Sequence, residues 1–134
     1  MSKYEERIVC LLRAAGIKFV REKTFSDLRG GRFRYDFYLP SFNILIEVDG
    51  EQHFHQVAKF QKNKTDFLKQ QENDRRKNSY ALANNIPLFR IPYWEFENLK
   101  NANDLFNSRF KVTTKWWNDI LWREYSLSKQ SKSY

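Results

Sequence analysis

Cysteine is nearly absent. Cys10 stands alone in a chain of 134 residues, which excludes an internal disulfide and any zinc cage built on cysteines. A small buried apolar position on a helix is the expected use of that single thiol. Long hydrophobic runs are missing as well: no uninterrupted stretch approaches the roughly 18 residues that a bilayer-spanning helix needs. The charged start Met1–Arg7 is not followed by a cleavable signal pattern, so the expected location is intracellular. Histidine is confined to His53 and His55. No internal repeat and no linker is visible.

What the chain does contain is apolar and basic. Hydrophobic residues make up 41% and aromatic residues 17%, with twelve Phe, seven Tyr and four Trp, enough apolar area to set wholesale disorder aside. The length fits one domain around one core. Lys and Arg number 24 against 16 Asp and Glu, a formal net charge of +8 with pI near 9.6. That excess favours a polyanionic partner, nucleic acid ahead of an anionic membrane.

Periodicity gives the order of elements. Ile8, Leu11, Leu12 and Ala15 recur at helical spacing after a capping Ser2 and before Gly16, predicting a helix over about 3–15. A short strand follows over 17–20 and a loop over 27–31. Two strands, 32–39 and 43–49, flank the turn Pro40, Ser41, Phe42 and predict an antiparallel hairpin. A long helix over about 66–84 leads past Pro87 to a largely apolar strand over 88–91. Shorter helices are expected near 95–106 and 114–125, before a Ser- and Lys-rich tail. This is an α/β order in which helices can cover both faces of a small mixed sheet of four strands.

The strand Asn43–Asp49 is apolar until it ends in two acids. Glu47 and Asp49 are two apart and share a face, while Ile46 and Val48 point the other way. Hairpin pairing brings Asp36 of the preceding strand near Glu47. Like charges so close repel and are costly to desolvate unless a cation lies between them. Three such carboxylates supply hard oxygen ligands suited to Mg²⁺, with Mn²⁺ able to substitute. The bland alternative is that these acids cap loops or pair with Arg and Lys at the sheet edge.

Other residues join this candidate site by position. His53, and as an accessory His55, lie just past the strand end, where an imidazole can accept or return a proton. Glu5 borders the buried stripe of the first helix and reaches toward the site edge, or else simply favours the helix dipole. Asp74, Asn78 and Ala81 share one face of the long helix, where Asp74 orients His53 or a water, or neutralises nearby arginines. Lys59, Lys62, Lys64, Lys69, Arg75, Arg76 and Lys77 form a basic run fit for contacting DNA phosphates, or a solvated helix face. Trp116, Trp117, Ile120, Leu121 and Trp122 suggest a core-packing helix, or a homodimer or base-stacking surface.

The runs RYDFYLPSFNILIEVDGEQHF and NDRRKNSYALANNIPLFRIPY resemble the very short patch repair (Vsr-like) endonucleases. They look closer still to the phage homing endonucleases of the EDxHD group, within the PD-(D/E)xK superfamily. The resemblance covers about residues 4–93. It implies a restriction-endonuclease-like core, a helical C-terminal extension over about 94–126, and a Mg²⁺-dependent endonuclease that hydrolyses phosphodiester bonds in DNA, in a host cytoplasm if phage-encoded. By resemblance Glu5, Asp36, Glu47, His53 and Asp74 are the site residues, with Asp36 and Glu47 on the metal. The lysine of the family pattern is Asp49 here, so either Asp49 joins the metal shell or another cation substitutes. A branched-DNA resolvase and a DNA-binding module that has lost catalysis are the competing readings.

Overall fold

Ser2 caps the first helix. In the computed structural model, which describes residues 1–50 and 64–114, the Glu5 amide donates to Ser2 Oγ (3.1 Å) and the Ser2 amide donates to Glu5 Oε2 (3.4 Å). This reciprocal box satisfies amides that a helix start otherwise leaves orphaned, and α1 runs from it over Lys3–Ala14. Ile8, Val9, Leu11 and Leu12 form its buried stripe, each contributing about 1.5–3 kcal/mol on leaving water. Cys10 lies across the helix from that stripe and is exposed, against the expectation of a buried thiol.

Four strands make one mixed sheet in the order β1-β2-β3-β4. β1 (Val20–Thr24) and β2 (Arg34–Leu39) are antiparallel, β2 and β3 (Ile44–Asp49) form the predicted antiparallel hairpin, and β4 (Leu88–Pro92) runs parallel to β3. The long helix α2 spans Lys64–Ala83 and supplies the crossover between the parallel pair. Alternation along β3 sorts the core onto two faces. Ile46 and Val48 join Phe37, Leu39 and Ile91 under α1, whereas Leu45 joins Tyr35, Leu88 and Ala81 on the α2 side. The architecture is α/β with helices on both faces of a four-stranded mixed sheet. Replacing Leu12, wholly buried at the α1 face, with alanine would cost about 2–5 kcal/mol.

Two segments depart from expectation. The first strand lies at 20–24, not 17–20: Ile17 and Phe19 pack against the core as the lead-in, and the edge strand itself is the charged run VREKT. The span 95–106 is not one helix but 3₁₀ turns over Tyr93–Asn98 and Ala102–Phe106, separated by extended Leu99 and Asn101. Asn101 and Asp104 bond the local backbone there, an alternative that competes with a continuous helix. The helix expected over 114–125 falls outside the described residues beyond Thr114.

Candidate functional site

The β2–β3 ladder opens at the acids. Pairing runs through Leu39↔Ile44, Tyr38↔Leu45 and Phe37↔Ile46, and the next pair along would be Asp36 with Glu47. There the side chains take over from the backbone. The Asp36 amide donates to Glu47 Oε1 at 2.7 Å, and the Val48 amide donates to Asp36 Oδ2 at 2.7 Å. Each carboxylate thus satisfies a backbone N–H that would otherwise be buried without a partner. Tyr35 and Phe37, two apart, pack in opposite clusters, so the regular alternation of β2 is interrupted at Asp36. On the other side of β2 the pairing with β1 steps from Arg21↔Phe37 to Lys23↔Tyr35, with Glu22 between them at φ 55°.

Burial and the adjacent Glu47 push the Asp36 carboxyl up to about 8, against the opposing pull of the Val48 amide and of Lys77. Glu47 is 2% exposed. Its Oε2 accepts from Lys77 Nζ at 3.1 Å, the cation that α2 brings to the pair. Tyr35, wholly buried, ties the same stretch of α2 to β2 by donating its hydroxyl to the Lys77 carbonyl at 2.8 Å. Burial, with the negative charge of Glu47, raises the Tyr35 hydroxyl above its ordinary range and keeps it a donor.

Beside this pair lies a buried arginine. Arg90 of β4 is the register partner of Glu47 and is 1% exposed. It donates through Nη1 to Asp49 Oδ1 (2.6 Å), through Nε to Asn78 Oδ1 (2.6 Å) and through Nη2 to the Asp74 carbonyl (3.3 Å), with the Asp74 carboxylate 3.6 Å away. Burial opposes its charge, but Asp49, Asp74 and Glu47 outweigh that and hold the guanidinium firmly protonated.

The predicted site residues therefore separate into groups. Asp36 and Glu47 meet. Asp49 shares the face of Glu47 as expected, but its Oδ1 is held by Arg90, and among the described residues no three His, Cys, Asp or Glu side chains gather as a metal cage. Asp74 and Asn78 face inward on α2 as the spacing predicts, and the arginine that Asp74 approaches is Arg90 of β4. Glu5 pairs with Arg21 at 2.9 Å besides closing the cap, and its charge still reaches Asp36.

Lys77 is a correction: it does not stand on the exposed basic surface but turns to Glu47, because positions 74, 77, 78 and 81 fall on one helix face. Arg75 and Arg76 are exposed and both lean on Glu72, at 3.5 and 3.6 Å. His53, His55, Lys59, Lys62 and the Trp116–Trp122 segment lie outside the described residues, as does the side chain of Lys64. Arg90 is the residue that sequence reasoning passed over. The signal was present, since a lone cation inside the run LFRIP needs buried acids to pair with.

No family model matches the chain. The chain is 36% identical over 76 residues to the uncharacterized protein 307L of Invertebrate iridescent virus 6, an alignment covering 56% of this chain. It spans only 39% of the length of that viral protein. Among the described residues no helix is long and apolar enough to cross a membrane.

The donor set fits Mg²⁺ in its chemistry. Asp36 and Glu47 offer hard carboxylate oxygens, and Mg²⁺ is commonly held by one or two carboxylates with water and substrate phosphate completing the shell. A buried like-charged pair is also what a divalent ion relieves.

Proposed function

We propose that this chain is a metal-dependent DNA endonuclease that hydrolyses phosphodiester bonds, of the homing or very-short-patch-repair kind. The observation that carries the reading is the Asp36–Glu47 pair at the opened ladder, two carboxylates locked to each other's strand and facing a cation from α2. Such an arrangement spends ladder hydrogen bonds at the end of an apolar strand, where a purely structural hairpin would go on pairing.

Asp36 and Glu47 would hold Mg²⁺, which when bound supplies Lewis acidity toward a phosphoryl oxygen and an acidified water. Lys77 answers the question left by Asp49: it provides a positive charge beside Glu47 where the family pattern has a strand lysine. Asp49 is then a structural acid, fixed by Arg90, that holds the ends of β3 and β4 in register with α2. By resemblance His53, four residues beyond Asp49 in sequence, accepts the proton of the attacking water.

The test is purified protein with Mg²⁺ and supercoiled plasmid. Nicked or linear product, lost on adding chelator and in D36N, supports the reading. A shifted band without strand scission points to the DNA-binding module instead.

A further inference from the structure

The segment that leads into β2 carries three exposed arginines within six residues, Arg29, Arg32 and Arg34, and no acid among them. It is not a loose loop. Leu28 is buried, Phe25 packs against Tyr35 and Tyr80 with ring centroids 5.8 and 5.2 Å apart, and the Tyr80 hydroxyl donates to Asp27 Oδ1 at 2.5 Å. Asp27, the acid just before the segment, is thus already bonded to α2, while the guanidinium of Arg29 lies 5.7 Å from the Phe33 ring. Arg34 makes a long, exposed contact with Glu22, at 3.8 Å. Exposed pairs of that kind hold a guanidinium weakly.

Topology leads the last of these arginines to the site. The start of β2 lies at the same end of the sheet as the C-terminal ends of β3 and β4, and Arg34 precedes Asp36 by two residues, roughly 7 Å along an extended strand. By contrast, Arg75 and Arg76 on α2 share one carboxylate and Lys77 is turned inward. An anchored set of exposed arginines with no acid among them, leading into the strand that carries Asp36, complements a string of phosphates.

Resting on the reading above, we propose that Arg29, Arg32 and Arg34 grip the phosphate backbone of duplex DNA and set one phosphodiester against Asp36 and Glu47.

The test is fluorescence anisotropy of a short labelled duplex titrated with protein across a KCl series, with EDTA present to prevent cleavage. Each phosphate contact contributes about 0.9 to the slope of log affinity against log salt. The triple variant R29Q/R32Q/R34Q should therefore lose about 2–3 from the slope, and R29Q or R32Q alone about 0.9, while R75Q/R76Q changes it by less than about 1. Circular dichroism establishes that each variant folds, and the single variants serve if the triple does not. Unchanged slopes in folded variants overturn the proposal, as does wild-type protein that binds no duplex. Plasmid nicking is read separately: the expected slope loss without nicking supports the grip and sinks the cleavage reading, and nicking with unchanged slopes does the reverse.

Discussion

Lys77 Nζ lies 3.1 Å from Glu47 Oε2, a helix cation set against a strand acid that is otherwise sealed from water. The contact joins α2 to β3 and sets a positive charge beside Glu47. Removing it leaves Glu47 buried without that partner, and breaking a buried pair from one side is expensive because the remaining charge stays desolvated. K77M should lose about 2–4 kcal/mol in urea denaturation, less than a fully buried pair because Lys77 retains some exposure. K77R should keep most of the stability. If Lys77 also steadies charge at the phosphate, K77M lowers kcat by about 10²-fold or more with KM little changed. A loss confined to DNA affinity would return Lys77 to the surface role its sequence neighbours suggest.

Arg90 makes the second test. R90M removes the guanidinium from Asp49, Asn78 and the Asp74 carbonyl at once, and about 3–5 kcal/mol should be lost. R90K should not restore it, since an ammonium cannot reproduce the fork that meets partners on β3 and α2 together. The double variant R90M/D49L should recover part of the loss, because it also removes the acid left behind. Equal stability of R90M and wild type in urea would contradict the clamp.

The raised Asp36 carboxyl gives a pH dependence of definite sign. Between the ordinary carboxylate range near 4 and about 8, the metal-free folded protein keeps a proton that the unfolded chain has released. The unfolded state binds fewer protons there, so stability falls as pH rises through that window and levels off above about 8. D36N, unable to titrate, should show a flatter curve in thermal melts recorded across the same range. Parallel curves for the two proteins would mean that Asp36 is not held protonated.

Much of the fold is legible because its signals are local. The hairpin follows from two apolar runs around Pro40–Phe42, and α1 from a capping serine and an apolar stripe. β1 is hidden because an edge strand with one exposed face tolerates the charges of VREKT, which carry no strong β signal. The span after Pro92 carries the Glu, Leu, Lys and Ala of a helix, while Asn101 and Asp104 bond the backbone and break it into turns.

At the site, the meeting of Asp36 and Glu47 can be foreseen from hairpin pairing. The clamp cannot be foreseen so easily: Arg90 and Asp49 are 41 residues apart in sequence, and only the parallel pairing of β3 with β4 brings them together. Lys77 is obscured by Arg75 and Arg76, whose proximity in sequence suggests one basic surface although helical rotation turns the third cation inward.

The most direct test of the central claim is a Mn²⁺ titration followed by electron paramagnetic resonance, on wild type, D36N and E47Q, each first shown to fold. If Asp36 and Glu47 together hold the ion, wild type takes up one Mn²⁺ that Mg²⁺ displaces, and either substitution weakens that uptake by about tenfold or more. Equal uptake by wild type and both variants would contradict the account.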